Sequence, residues 1–159
     1  MKPSSHQLTM TVLMTPSMAN FSGKVHGGTL LKLLDEVAYA CASRFAGSYV
    51  VTLSVDRVTF RQPVHVGELV TFLAQVNFAG RTSMEVGIKV ITENILEQTV
   101  RHTNSCFFTM VAVDEHGQPC KVPQLPLLTE KDQQRAVTAQ ERRKARQAFE
   151  LEHRAHKQR

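Results

Sequence analysis

The chain has 159 residues, 42% of them hydrophobic, and a formal net charge of +5, values that describe one globular domain of ordinary size with its own core. No run of about 18 consecutive apolar residues occurs and Met1 to Met10 has no apolar signal segment, so neither a transmembrane helix nor a secretory leader is expected. The three cysteines, Cys41, Cys106 and Cys120, fall in no metal-ligand spacing, which points to free thiols in a reducing cytoplasm and argues against a disulfide framework or a metal site.

The charge is unevenly placed. Glu130 to Arg159 carries nine Lys/Arg and five Asp/Glu, a surplus of +4, and the body before it is close to neutral at +1. Such a tail can attract an anionic partner, or simply be a solvated extension. Phe149 is the one aromatic side chain among its basic residues, so nucleic-acid binding is not expected. We read residues 1–128 as the folded domain. Residues 129–159 are read as a basic C-terminal tail, helical or disordered, exposed and dispensable for chemistry.

In chain order, Leu8, Met10, Val12 and Met14 alternate with polar residues, which predicts a half-buried strand ending at Pro16. Ser17 to Gly27 reads as a loop. From Gly28 the period changes: Leu30, Leu33, Leu34, Val37 and Cys41 follow the spacing of an amphipathic helix to about Phe45, with Gly47 as its stop. Strands are then expected over Tyr49–Phe60, Leu69–Phe78, Ser83–Thr92 and Leu96–Val113, followed by an extended exit through Pro119, Pro123 and Pro126. Short turns between strands require antiparallel pairing. The single helix, apolar around much of its girth, has to be covered by a sheet that curls around it. The fold class is α+β.

Chemistry concentrates between Asn20 and Glu36. His26-Gly27-Gly28 sits where loop becomes helix, and first-turn N–H groups with the helix dipole favour negative charge. A carbonyl oxygen becomes negative when its carbon is attacked, so such donors can serve as an oxyanion hole; a plain helix start would use the same residues. Asp35 lies two turns into the helix between apolar Leu31 and Ala38, and a carboxylate there needs a partner or a task. Glu36 reads as its solvent-facing neighbour, and Asn20, taken alone, as a turn residue.

The run Asn20-x-x-Gly-x-x-His-Gly-Gly-x-x-x-x-x-x-Asp35-Glu36 resembles the acyl-CoA hydrolases of the hotdog superfamily. So do Val55 to Val64, Gly67-Glu68, Gly80 to Val86, Thr103 to Val113 and the Pro119 to Pro123 exit. The resemblance spans about residues 8–127 and does not include the tail. It implies a hotdog fold, a long central helix wrapped by a curved antiparallel sheet. It further implies edge-to-edge dimers, commonly assembled as trimers of dimers into a homohexamer, with sites at the dimer interface. The family's catalytic Asn and Asp, contributed by different subunits, fall on Asn20 and Asp35.

The activity implied is hydrolysis of acyl-CoA to free CoA and a carboxylic acid in the cytoplasm, with no cofactor beyond the CoA of the substrate. Asp35 is expected to act as general base or nucleophile, Asn20 to orient water or carbonyl, and His26, Gly27 and Gly28 to frame the oxyanion. Arg57, Arg61, Arg81, Thr82 and Ser83 are candidate CoA contacts, or ordinary surface charges and turn residues. Two other functions fit less of the sequence: a hydratase or dehydratase of the same fold, for which His26 would have to serve, and a non-enzymatic acyl-CoA sensor. His65 and His102 read as structural.

Overall fold

The structure, a computed structural model, describes residues 6–157. The first residues of the segment read for a signal and the last two of the tail lie outside the described residues. The elements are β1 (Gln7–Leu13), a 3-10 turn at Pro16–Met18, α1 (Gly27–Ala46), β2 (Tyr49–Val55), β3 (Leu69–Ala79), β4 (Ser83–Asn94), β5 (Thr99–Val113) and α2 (Glu130–Lys157). The strands form one antiparallel sheet in the order β1-β3-β4-β5-β2. The helix therefore leaves one edge strand and delivers the chain to the opposite edge.

Period-2 alternation puts Phe72, Val86, Ile88, Phe108 and Met110 on the face that meets α1, which returns Leu34, Val37, Cys41 and Phe45. Each large side chain buried in this way contributes about 1.5–3 kcal/mol. Gly47 ends α1 in the left-handed region, φ 68°, with its N–H bonded to Ser43 O at 2.8 Å, a conformation that costs a residue with a Cβ. No helix among the described residues is long and apolar enough to cross a membrane.

Three expectations are corrected. The strand begun at Tyr49 stops at Val55 and not at Phe60: Asp56 N–H bonds Phe107 O at 3.0 Å, and the chain then leaves the sheet toward α1. The last strand begins at Thr99, because the Asn94 side chain accepts the Leu96 and Glu97 N–H groups at 3.2 and 3.1 Å and holds a turn there. Most consequentially, the tail is not free of the domain. It forms α2, whose first half docks on the sheet face opposite α1 and buries Ala136 and Ala139.

The docking site is a buried carboxylate. Glu85, on the outer face of β4, is 2% exposed. Arg142 of α2 meets both its oxygens, Nη2 to Oε1 at 2.6 Å and Nε to Oε2 at 3.1 Å, and lies over the Phe107 ring at 3.6 Å. Asn77 donates to Glu85 Oε1 at 3.3 Å. Gly87 makes room for that amide, because a Cβ there would collide with Asn77. One turn further along α2, Arg146 binds Asp56 at 2.9 Å, at the point where the chain leaves β2. Removing one partner of a buried ion pair costs about 3–5 kcal/mol, since the other charge stays buried. Arg142→Ala should therefore lower stability by roughly 3 kcal/mol in urea unfolding, and truncation after Leu128 by more. An unchanged midpoint for Arg142→Ala would show that the contact contributes nothing.

Candidate active site

The loop before α1 is tied down by its own polar groups. Asn20 Oδ1 accepts from Ser22 N at 2.9 Å, Ser22 Oγ at 2.8 Å and Lys24 N at 3.1 Å. Two of these donors are backbone N–H groups, which can only donate, so the atom facing them is the amide oxygen. The Asn20 nitrogen therefore points the other way, with no partner among the described residues. His26 caps α1: its Nδ1 accepts the Gly28 N–H at 3.1 Å, and its own N–H bonds Met18 O at 2.8 Å. That occupies the Gly28 donor and leaves the Gly27 N–H as the open one of the pair among the described residues. Phe60, carried back by the β2–β3 connection, sits 3.7 Å from where a Gly27 Cβ would be. A narrow apolar slot opens beside it, walled by Leu30 and Leu34 of α1 and by Val64, Phe72 and Val90.

Asp35 stands eight residues along α1, about 12 Å from Gly27 at 1.5 Å per residue. It lies on a ridge with Leu31 and Tyr39, all exposed, beside the edge strand β2. Thr52 of β2 donates to Asp35 Oδ1 at 2.6 Å. The pairing of β2 with β5 is irregular between Thr52 and Ser54. Thr52 was not singled out from the sequence. In a run of Val, Thr and Ser, one threonine carries no signal until the helix and edge are seen together.

The remaining candidates are dispersed. Arg57 and Arg61 are exposed on the β2–β3 connection that also carries Phe60. Arg81, Thr82 and Ser83 form the β3–β4 turn, at the sheet end where Ser83 pairs with Val111. Gly27 lies at the other end, where Leu13 pairs with Leu69. One chain thus joins Asp35 to Thr52, groups His26, Gly27 and Gly28 with Phe60, holds Asn20 on the adjoining loop, and keeps the Arg81 turn apart. His65 lies by Glu68, and His102 Nε2 is 2.9 Å from Asn104 O and Ser105 Oγ, so both are engaged in local structure.

A curved antiparallel sheet around one central helix, with an edge carboxylate and a capped Gly-Gly helix start, is the architecture of a hotdog-fold thioesterase. A family model for the thioesterase superfamily matches residues 22–98. Protein VdlD of Helicobacter pylori is 50% identical over 140 residues, 88% of this chain and 80% of that one. An apo-hexameric acyl-CoA thioesterase superposes with a TM-score of 0.85 at 38% identity, covering 90% of this chain and 92% of that one. The acyl-CoA hydrolase of Staphylococcus aureus, solved with butyryl coenzyme A, superposes with a TM-score of 0.85 at 28% identity, over 95% and 92% of the two chains. Solved variants of that enzyme replace an Asn, an Asp and a Thr by Ala, with the Asn 15 residues before the Asp and the Thr 17 after it. Asn20, Asp35 and Thr52 have the same spacing. The chain belongs to the hotdog-fold acyl-CoA thioesterase family, a class of hydrolases.

A cysteine nucleophile is the obvious rival to Asp35, and burial removes two of the three thiols. Desolvation pushes Cys41 and Cys106 each up to about 12, so both stay protonated near neutral pH and neither is a nucleophilic thiolate. Native protein at pH 8 should react quickly with a thiol reagent at one site, the half-buried Cys120, and at all three cysteines only after denaturation. Fast labelling of Cys41 or Cys106 in the native state would restore a cysteine route.

Proposed function

We propose that this chain hydrolyses acyl-CoA thioesters to free CoA and a carboxylic acid, at sites shared between two subunits. Asp35 is the general base or nucleophile, and the partner subunit's Asn20 is the orienting donor. The observation that carries the reading is the Asp35 carboxylate, fixed by Thr52 on an exposed edge of the sheet. The Thr52 hydroxyl holds Oδ1 and leaves Oδ2 to take a proton from water or to attack the thioester carbon. The fixed Asn20 amide offers N–H groups only, so its task is to donate to the carbonyl oxygen or to a water lone pair. The Gly27 N–H faces the same developing charge. The departing group is a thiolate, much less basic than an alkoxide, and leaves without strong acid help. The hydratase reading needs a free His26, whose Nδ1 is engaged in capping.

Assembly follows from the edge. Among the described residues β2 pairs only with β5, and Tyr49 and Leu53 on it are 61% and 67% exposed. An apolar, unpaired edge strand of this kind invites pairing. Antiparallel pairing of β2 with its copy brings the Tyr49 end of one subunit to the Val55 end of the other. The Arg81 turn then approaches the partner's helix start, reuniting the groups that one chain separates. On this reading Arg57, Arg61, Arg81 and the Thr82-Ser83 turn contact CoA phosphates. The dimers associate further into a hexamer, and the enzyme acts in the cytoplasm.

Release of free thiol from butyryl-CoA and palmitoyl-CoA tests the activity, and light scattering tests the oligomer. Asp35→Asn should cut kcat by roughly 10²–10⁴, and Asn20→Ala should lower kcat more than it raises KM. Thr52→Ala should lower kcat about tenfold by freeing the carboxylate, the size expected for a hydrogen bond to a charged group. Mixing Asp35→Asn subunits with Asn20→Ala subunits should restore activity, because one of the two sites in a mixed dimer is then intact. Mixed dimers without recovery would refute the shared site, and near-normal turnover in Asp35→Asn would refute its catalytic role. A fully active monomer would refute both the assembly and the sharing.

A further inference from the structure

The apolar slot beside Gly27 has one polar inhabitant that nothing in the fold explains. Asn104 of β5 is 9% exposed and lines the slot with Leu30, Leu34, Phe60, Phe72 and Val90. Its side-chain nitrogen is buried and has no hydrogen-bond partner among the described residues. Leaving such a donor unpaired costs about 1–3 kcal/mol, and a valine or leucine at this position would avoid that cost. The neighbouring polar groups cannot relieve it. Thr103 and Thr92 satisfy each other at 2.5 Å, and Gln62 Oε1 is taken by Arg101 at 3.0 Å. The slot's free volume is about 10 Å³, at the lower limit for one water. With mostly apolar walls it offers a water few of the two to four partners it needs.

The slot opens beneath Phe60, which lies against Gly27, the open donor for the carbonyl oxygen. An acyl group whose carbonyl is held there has its chain directed between α1 and the sheet. We propose that Asn104 is the specificity-determining residue. Its amide donates to an oxygen carried on the acyl chain, and the preferred substrates are short hydroxyacyl- or oxoacyl-CoA thioesters, not plain saturated ones. At about 10 Å³ the slot has to widen for even a short chain, by movement of the exposed Phe60 ring, and a long chain would also have to displace Leu30, Leu34 and Phe72, which pack into the core. This inference rests on the thioesterase reading above, and concerns only which acyl group the site selects.

A site built to pair a substrate oxygen discriminates strongly against the analogue without it, because the buried donor is then left bare. The test compares wild-type kcat/KM for butyryl-CoA, 3-hydroxybutyryl-CoA and acetoacetyl-CoA, each with the same four-carbon length. Wild type should favour the two oxygen-bearing substrates by about tenfold or more. Asn104→Leu should abolish that preference, read as the ratio of kcat/KM for the oxygen-bearing substrates to that for butyryl-CoA, and Asn104→Ser, which keeps a hydroxyl donor, should retain part of it. Equal or better use of butyryl-CoA by the wild type overturns the proposal without recourse to any variant. An equal loss on all three substrates in Asn104→Leu overturns it too, and would mark Asn104 as structural. If no thioester is cleaved, the thioesterase reading has failed instead. The ratio of calorimetric binding constants for 3-hydroxybutyryl-CoA and butyryl-CoA, in wild type and in Asn104→Leu, then decides the question alone.

Discussion

Enclosure of the apolar stripe of α1 is the constraint on which the rest depends. Leu34, Val37, Ala38, Cys41 and Phe45 cannot be left in water, and one antiparallel sheet, curled, is what the remaining chain supplies to cover them. Because α1 links the two edge strands, its first turn lies at one end of the sheet and its last at the other. Coverage is complete on the side of β3, β4 and β5 and runs out at β2. The ridge Leu31, Asp35 and Tyr39 falls on that boundary. A carboxylate there keeps contact with water on one side and gains a hydroxyl partner from β2 on the other, so the charge survives beside a core it could not enter.

The alternation of two, then three to four, then two residues was enough to mark the helix and strands. A resemblance centred on Asn20 to Glu36 pointed to the candidate site residues. What periodicity cannot carry is strand order, because it reports which face of a strand is buried and says nothing of which neighbour it meets. The central place of β4 and β5 depended on pairings that only the folded chain reveals. The early end of β2 escaped for a related reason. Val58 and Phe60 look like strand residues, but Phe60 finds its apolar contact at the helix start and not in the sheet.

The tail is helical, one of the two forms its composition allows, but its first half is docked where exposure was expected. Glu85 alternates with Met84 and Val86 in the manner of a solvent-facing charge, and the tail has the composition of a solvated helix. Taken separately, each observation predicts exposure. Taken together they do not, because Arg142 and Arg146 share a helix face with the small residues Ala136 and Ala139, and small residues let a helix approach a sheet closely. The signal existed as a pattern across two distant segments, and local reading treats such segments one at a time. Beyond Arg146 the reading of an exposed helix describes what is found: Phe149 and Leu151 project into solvent.

The strand order also dictates a sequence of events in time. β3, β4 and β5 are neighbours along the chain and in the sheet, so that meander closes over short turns at small entropic cost. The edges are different. Gln7 pairs with Gln75, 68 residues away, and Tyr49 pairs with Val113, 64 residues away. Contacts of such separation repay their loop-closure entropy only after the centre exists to receive them. A folding chain whose three central strands have paired still has β2 undocked, and until β2 docks on β5 Asp35 has no Thr52 beside it. The contact between Asp35 and Thr52 is thereby completed last, on the edge strand left open to a neighbouring molecule, so that one late step of folding sets both the carboxylate's partner and the edge that a second copy would meet.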